Sequence, residues 1–348
     1  MVESLRVVVA TPLREELCAL IEEREPRIQL VRDQSLLAPQ RHAGDHSGDP
    51  SFTRTVEQQA SFDELVDSAE ALYGLPDESG KALHRTVEAN PKLRWVHTMP
   101  AGGGSQVRSA GLSDEQLTRI QFSTSAGTHA QPLSEFVLFG VLAGAKHLRT
   151  LERDQAKHHW PPNRTETRQV SEMTILVVGL GGIGRKSAEV LLALGANVIG
   201  VHRHDVEGFE TVIPVEQLAD AAATADAIVL ALPGTDQTHK LLSREVLANV
   251  KPGITIVNVG RGTTVDEDAL IEALQDGRVG FAALDVTYKE PLDTASPLWD
   301  LPNVLLSPHS AALNSNEDRR IAELFADNAT RLLDGRPLRN PVNTAEFY

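Results

Sequence analysis

Three ionisable residues in the second half of the chain, Arg261, Glu290 and His309, each follow a predicted strand. The carboxyl ends of strands line the ligand crevice of an open parallel sheet, so these side chains are expected to converge there. An arginine can bind a carboxylate through two hydrogen bonds and polarise the neighbouring carbonyl. A histidine can exchange the proton of a carbonyl/hydroxyl pair, and a glutamate bonded to it fixes its orientation and favours its protonated form.

Each of the three residues also has a structural explanation when it is considered alone. The arginine could form a salt bridge, the glutamate could be a solvated loop acid, and the histidine could cap a helix. The sequence pattern around them is therefore needed to choose between these explanations and a reaction centre.

The elements that must position these residues are organised around the segment Ile175–Gly184, ILVVGLGGIG. Its apolar start predicts a buried strand, and a helix and a second strand follow it. Between strand and helix lies the pattern G-x-G-x-x-G, formed by Gly179, Gly181 and Gly184. The glycines allow a tight turn close to a pyrophosphate, and the helix N-terminus adds partial positive charge. This part of the chain is therefore predicted to bind a dinucleotide.

Composition bounds the class of protein. The chain has 348 residues, 41% of them hydrophobic and 23% charged, which predicts two globular domains with sizeable cores. The net charge of −15 disfavours nonspecific binding to nucleic acid or to anionic membranes. Cys18 is the single cysteine, which excludes an intramolecular disulfide and favours a reducing compartment. No apolar run reaches about 18 residues and no signal-peptide pattern is present at the start, so a cytoplasmic protein is expected.

Strands and helices also alternate in the first part of the chain, which predicts a second parallel α/β unit. The predicted strand Leu93–His97 is followed by the glycine-rich segment Met99–Gly104, whose backbone N–H groups could bind a small anion or simply form a flexible turn. The segment Leu133–Leu151 predicts one long helix that connects the two units. His42 and His46 lie four residues apart in the predicted loop Ala38–Pro50, but no third ligand is evident, and no metal site is expected.

Five segments of the chain resemble the D-isomer-specific 2-hydroxyacid dehydrogenase family. They are GLGGIG at 179–184, LPGTDQT at 232–238, NVGRGTTVDEDAL at 258–270, ALDVTYKEPL at 283–292 and LWDLPNVLLSPHSA at 298–311. The resemblance extends from about Trp95 to Leu333. It implies that Arg261, Glu290 and His309 are the catalytic residues.

The resemblance also implies an architecture and a set of binding residues. The expected fold is α/β, with two similar doubly wound parallel-sheet domains: a Rossmann nucleotide domain at 133–311 and a flavodoxin-like substrate domain at 1–132 and 312–348. Ala101, Gly102 and Gly103 match the loop that binds the substrate carboxylate. The expected cofactor contacts are Gly179, Gly181, Gly182, Ile183, Gly184, His202, Arg203, Leu232, Pro233, Thr238, Val259, Gly260, Asp285 and Thr128. Of these, Thr128 is expected near the nicotinamide and Asp285 near its carboxamide.

One position departs from the pattern of enzymes that use NAD. Such enzymes place an acidic residue after the second nucleotide strand to bond the ribose 2′-hydroxyl. Here that position is His202, followed by Arg203 and His204. Since Arg203 could bind a 2′-phosphate, NADP is expected more than NAD. Asp205 and Glu207, slightly further on, are the residues that favour NAD instead.

The expected activity is reduction of a small 2-oxoacid to a D-2-hydroxyacid by NAD(P)H, with glyoxylate, hydroxypyruvate or a bulkier acid as substrate. The expected assembly is a homodimer without nucleic acid, membrane or metal. Two alternatives remain, namely a non-catalytic NAD(H)-sensing regulator and an enzyme like phosphoglycerate dehydrogenase. The presence of all three catalytic residues disfavours the first, and the short segment after the last helix disfavours the second.

Overall fold

The computed structural model of the protein describes residues 4–204 and 206–347, so Asp205 lies outside the described residues. The chain divides into two compact units. The first consists of Met1–His129 with Leu313–Tyr348, and the second is Ala130–Ala312.

The first unit is built on a parallel sheet that, in the described residues, has five strands in the order β2-β1-β3-β4-β5. This is the doubly wound order of flavodoxin-like folds, as the sequence predicts. The strands are β1 Leu5–Val9, β2 Ile28–Val31, β3 Ala71–Tyr73, β4 Trp95–Thr98 and β5 Gln121–Thr124. They form because short apolar runs can be buried on both faces of a parallel sheet.

Helices follow the strands of the first unit. They are α1 Glu15–Arg24, α2 Val56–Asp67, α3 Gly80–Ala89, α4 Gly104–Ser109 and α5 Asp114–Arg119. A capping box between Thr55 and Gln58 begins α2 at Val56. The short helices α4 and α5 are not predicted, because neither has enough length to show a hydrophobic period.

The second unit has helices on a parallel sheet with seven strands in the described residues, ordered β12-β11-β10-β9-β6-β7-β8. Read from β8, this is the Rossmann order with one further strand, which confirms the predicted fold class. Its strands are β6 Thr174–Val178, β7 Asn197–Val201, β8 Val212–Ile213, β9 Ala227–Leu230, β10 Ile254–Asn258, β11 Val279–Leu284 and β12 Val304–Leu306. Its helices are α6 Ala130–Ala145, α7 Leu148–Ala156, α8 Gly182–Ala193, α9 Leu218–Ala222, α10 Arg244–Asn249 and α11 Glu267–Gln275.

The prediction of one long helix over Leu133–Leu151 is wrong. The helix ends at Ala145, and His147 adopts a left-handed backbone with φ of +54° before α7 begins. Lys146 is held at this break, since its Nζ donates to the carbonyl oxygen of Arg168 at 2.6 Å. The break was not evident from the sequence, because the residue with the left-handed backbone is a histidine and the nearest glycine, Gly144, lies inside the helix.

The chain returns to the first unit as α12, Glu317–Leu333. Phe325 of this helix stacks on Trp95 at 4.5 Å between ring centroids and meets Tyr73 edge to face at 5.0 Å. These aromatic rings are fully buried and fasten α12 to β3 and β4. No helix within the described ranges combines the length and apolarity needed to span a membrane.

Candidate active site

His309 and Glu290 form a direct pair in the second unit. The Nδ1 atom of His309 lies 2.7 Å from Oε2 of Glu290, while the backbone N–H of Thr287 donates to Oε1 of the same carboxylate at 3.2 Å. Both side chains are partly exposed to solvent. The predicted catalytic histidine and its acidic partner are therefore brought together, and the carboxylate itself is oriented by a backbone hydrogen bond.

A buried aspartate holds the turn that carries His309. Oδ1 of Asp285 accepts hydrogen bonds from the Ser307 hydroxyl at 2.6 Å and from the backbone N–H groups of Ser310 and Ala311 at 2.9 Å. The backbone N–H of His309 donates to the Asp285 carbonyl oxygen at 2.9 Å. His309 itself has a left-handed φ of +55°, a conformation that non-glycine residues keep only when their surroundings enforce it. The expected contact of Asp285 with the nicotinamide carboxamide stays a prediction.

Arg261 projects from the loop after β10 and lies between two glycines. A larger residue at either glycine would force the neighbouring backbone to shift. A β-carbon on Gly260 would collide with the backbone of Leu232, and one on Gly262 would overlap the carbonyl oxygen of Thr287. The loops after β9, β10 and β11 are therefore in close backbone contact. This packing places exposed Arg261 on the loop beside the one that carries Glu290.

The glycine-rich turn after β6 has the geometry of an anion-binding site. Gly179 adopts a φ of +93°, and a β-carbon on Gly184 would overlap the carbonyl oxygen of Gly179. The turn leads directly into α8, whose first residues are Gly182 and Ile183. Its N-terminal backbone N–H groups suit a pyrophosphate, so the residues present fit a bound dinucleotide.

Basic side chains cluster after β7. His202 and Arg203 follow the strand directly, and an Arg203 guanidinium nitrogen donates to Oε1 of Gln237 at 2.9 Å. Arg185, in the first turns of α8, donates to the carbonyl oxygen of Glu207 at 2.8 Å. Burial and then the positive charges of Arg203, His204 and Arg185 lower the pKa of His202. Two arginines, Arg185 and Arg203, are thus placed near the end of β7.

The other predicted contacts fall into two groups. Leu232 and Pro233 follow β9, Val259 follows β10, and the Thr238 hydroxyl donates to the Pro233 carbonyl oxygen at 2.6 Å, which closes the turn. These residues belong to the second unit. Thr128 belongs to the first unit, together with the predicted substrate-binding residues Ala101, Gly102 and Gly103.

The segment Ala101–Gly103 joins β4 to α4. Gly103 is packed so tightly that a β-carbon on it would overlap the Thr98 hydroxyl, and its carbonyl oxygen accepts from Gln106 N at 3.1 Å. The loop therefore lies at the carboxyl end of a central strand, where backbone N–H groups can face an anion. Its role in binding a carboxylate remains a prediction.

Several side chains near these positions were missed from the sequence. Arg185 could have been found, because it follows the third glycine of the fingerprint directly. In contrast, Glu317 meets His129 at 2.9 Å and His46 at 3.9 Å, although 188 residues separate Glu317 from His129. No local pattern indicates such a contact.

Among the described side chains, no group of three or more histidines, cysteines or acidic residues is arranged to hold a metal ion.

The family model described as "D-isomer specific 2-hydroxyacid dehydrogenase, NAD binding domain" matches residues 138–311. Glyoxylate/hydroxypyruvate reductase B of Pectobacterium atrosepticum is 38% identical over 297 residues, which cover 83% of this chain and 91% of that protein.

D-3-phosphoglycerate dehydrogenase of Mycobacterium tuberculosis is 34% identical over 259 residues, 74% of this chain. The match spans only 48% of that relative's length. Among solved structures, a D-isomer specific 2-hydroxyacid dehydrogenase from Xanthobacter autotrophicus Py2, in complex with NADPH and MES, superposes with a TM-score of 0.76. It is 28% identical and the superposition covers 99% of this chain and 100% of that one. The chain therefore belongs to the D-isomer specific 2-hydroxyacid dehydrogenase family of NAD(P)-dependent oxidoreductases, as its sequence motifs predict.

Proposed function

We propose that this protein reduces a small 2-oxoacid to a D-2-hydroxyacid with NAD(P)H. The observation that carries the proposal is the 2.7 Å pair of His309 and Glu290 on a dinucleotide-binding fold, beside the loop of Arg261. The nicotinamide cofactor, when bound, supplies the hydride. In this proposal Ala130–Ala312 binds the dinucleotide, and the other unit binds substrate.

His309 acts as the general acid. Glu290 holds Nδ1, which leaves Nε2 as the nitrogen that donates a proton to the carbonyl oxygen of the substrate. Because the carboxylate is itself fixed by Thr287, the imidazole is held in one orientation before substrate arrives. The same nitrogen accepts the proton when a hydroxyacid is oxidised.

Arg261 binds the substrate carboxylate. One guanidinium nitrogen donates to the Gly260 carbonyl oxygen at 2.8 Å, which limits the positions of the head group. A planar guanidinium suits the two oxygens of a carboxylate and also draws electron density from the adjacent carbonyl. Ala101, Gly102 and Gly103 are assigned to the same carboxylate through their backbone N–H groups, and Thr128 to the nicotinamide side.

NADP(H) is the proposed cofactor. The support is the group of Arg185, His202 and Arg203 near the end of β7. Enzymes that use NAD place a carboxylate there to bond the ribose 2′-hydroxyl, and such a carboxylate would repel the 2′-phosphate of NADP. The Xanthobacter autotrophicus structure, which contains NADPH, is consistent with this assignment. A homodimer is the proposed assembly, which sedimentation would test.

Initial rates of NADPH and NADH oxidation test the proposal directly. The substrates are glyoxylate, hydroxypyruvate, pyruvate and phenylpyruvate, and turnover with at least one of them is expected, faster with NADPH. Nucleotide binding without turnover of any 2-oxoacid would instead support a regulator that senses the nucleotide. Oxidation of 3-phosphoglycerate with no reduction of these acids would support the phosphoglycerate dehydrogenase alternative.

A further inference from the structure

Glu290 lies in a mostly exposed stretch, residues 287–291, that is neither helix nor strand; we call it the Glu290 segment. Two hydrogen bonds of Thr287 stay inside this segment: its backbone N–H donates to Glu290 Oε1 at 3.2 Å, and its hydroxyl donates to the Lys289 carbonyl oxygen at 3.0 Å. Such local bonds give the segment a shape, but they do not fix its place on the protein. Contacts with other elements are needed for that.

The pair that this segment presents contributes little to its own placement. The side chain of His309 is 48% exposed and that of Glu290 is 39% exposed. An exposed pair of this kind is weakly stabilising, because water screens the charges and two side chains must be ordered to form it. The 2.7 Å distance between Nδ1 and Oε2 therefore depends on a backbone that already holds Glu290 in place.

Glu267 supplies a contact from outside the segment. Its Oε2 accepts a hydrogen bond from the backbone N–H of Tyr288 at 2.8 Å, although 21 residues separate the two in the chain. A hydrogen bond to an ionised carboxylate is shorter and stronger than one between neutral groups. Because Tyr288 lies two residues before Glu290, this bond fixes the backbone close to the carboxylate that meets His309.

The element that carries Glu267 is itself well anchored. Glu267 is the first residue of α11, and Asp266 caps this helix by accepting from the backbone N–H of Ala269 at 3.3 Å. The helix buries four apolar side chains in the core of the second unit, namely Ala269, Leu270, Ala273 and Leu274. The carboxylate of Glu267 therefore reaches the Glu290 segment from a fixed base.

The loop that carries Arg261 touches the Glu290 segment as well. Gly262 packs so closely that a β-carbon on it would overlap the Thr287 carbonyl oxygen. The Arg261 carbonyl oxygen accepts from the Thr264 hydroxyl at 2.7 Å and from Asn258 Nδ2 at 3.2 Å. Arg261 thus has anchors of its own that do not involve the carboxylate on α11.

We propose that Glu267 is a positioning residue for the reaction: through the Tyr288 backbone it holds Glu290 against Nδ1 of His309. The inference rests on the proposed function, in which His309 transfers the proton. Glu267 also lies in the first turn of a helix, where an acidic side chain is favourable for stability alone. Asp268, its exposed neighbour in the same turn, separates that general effect from the contact with Tyr288.

Two substitutions of Glu267 and one of Asp268 test the inference, with NADPH and the 2-oxoacid that the wild type reduces fastest. Glu267→Ala should lower kcat at least about tenfold and change KM for the acid by less than about threefold, since a displaced catalytic group is costly and Arg261 keeps its own anchors. Glu267→Gln should recover most of the loss, because its amide oxygen can accept the same hydrogen bond. Asp268→Ala should leave kcat unchanged.

Three results of these assays would contradict the inference. They are a wild-type kcat in Glu267→Ala, an equal loss of kcat in Asp268→Ala, and no recovery in Glu267→Gln. Tm is measured for every variant, so that loss of folded protein is not counted as a loss of kcat.

A double-mutant cycle shows whether Glu267 acts through Glu290. In Glu290→Ala no carboxylate remains to be positioned, so the addition of Glu267→Ala should lower kcat by less than about threefold further. Equal losses in the wild-type and Glu290→Ala backgrounds would mean that Glu267 acts on another part of the protein, and would overturn the inference.

Hydrogen exchange of the Tyr288 amide tests the contact without turnover. Exchange should be at least about tenfold faster in Glu267→Ala than in the wild type, and near the wild-type rate in Glu267→Gln and Asp268→Ala. Equal rates in the wild type and Glu267→Ala would refute the contact and the inference with it.

The two kinds of measurement separate this inference from the proposed function. If the wild type reduces no 2-oxoacid, the proposed function fails, and the exchange rates still decide whether Glu267 holds the Glu290 segment. If the wild type reduces an acid but Glu267→Ala and Asp268→Ala have the same kcat, only the inference fails.

Discussion

Nδ1 of His309 lies 2.7 Å from Oε2 of Glu290, although 19 residues separate them in the chain. The contact depends on two neighbouring loops that are fixed independently, one through Asp285 and the other through the close approach of Gly262 to Thr287. An imidazole held in this way at one nitrogen can transfer a proton at the other. Changes to the histidine and changes to the residues that position it should therefore have distinct effects.

Replacing the proposed acid should remove most of the turnover. His309→Asn is expected to lower kcat by about 10²–10⁴, the range that general acid–base groups contribute, while the dissociation constant of the cofactor changes little. Steady-state rates and fluorescence titration with NADPH measure the two effects. A variant with near-normal kcat would remove His309 from this role.

Asp285 should affect catalysis by holding His309 in position. Asp285→Ala removes the acceptor of three hydrogen bonds from Ser307, Ser310 and Ala311, which lets the turn that carries His309 relax. We expect kcat to fall at least about tenfold and stability to fall by about 1–3 kcal/mol. Asp300→Asn, an exposed change in the same unit, is the control. Full activity of Asp285→Ala would show that the turn does not need this carboxylate.

Cofactor preference should depend on Arg203. Arg203→Glu places a negative charge beside the 2′ position, and the ratio of kcat/KM for NADPH to that for NADH should fall at least about 100-fold, since a charge-assisted contact is replaced by repulsion. Arg153→Glu makes the same change in net charge at an exposed position on α7 and should leave the ratio unaltered. A wild-type enzyme that prefers NADH would contradict the assignment at the outset.

The free energy of unfolding should depend on pH because His97 is buried in its neutral form. This residue is fully buried, with its ring nitrogens 2.8 Å from Ser123 Oγ and 3.1 Å from Ser125 Oγ. Burial, followed by the charge of His46, lowers the pKa of His97 from 6.5 to about 3. The unfolded chain therefore binds a proton below pH 6.5 that the folded chain does not bind until about pH 3, so stability falls as the pH falls through this window.

His97→Gln measures this effect. The free energy of unfolding of the wild type should decline more steeply than that of the variant, by about 1.4 kcal/mol per pH unit between pH 6 and 4. Denaturant titrations at several pH values supply the slopes. Parallel slopes for the two proteins would show that His97 binds its proton equally in the folded and unfolded states, which contradicts the lowered pKa.

The architecture could be predicted from sequence because local signals specify it. The short β-branched run Ile175–Val178, followed directly by glycines, favours a buried strand of a parallel sheet over a helix. The break at His147 could not be predicted, since the residue that adopts the left-handed backbone is a histidine and Gly144 lies inside α6.

The site was predictable to the extent that its residues sit in fixed motifs. Arg261, Glu290 and His309 stand in segments with strong family patterns, and the structure pairs the last two. The cluster of His46, His129 and Glu317 was not predictable, because it joins a loop, a strand-following turn and a helix from distant parts of the chain. Contacts of this kind depend on topology, which single residue types do not reveal.

The central claim is that hydride passes to C2 of a 2-oxoacid to give the D-hydroxyacid. The most direct measurement incubates the enzyme with pyruvate, glyoxylate, hydroxypyruvate or phenylpyruvate and NADPH deuterated at C4 of the nicotinamide, on the face from which hydride leaves, and analyses the product by chiral chromatography and mass spectrometry. The account predicts a 2-hydroxyacid with one deuterium at C2 and, for acids that give a chiral product, D configuration. An L product, or a product without deuterium, would contradict it.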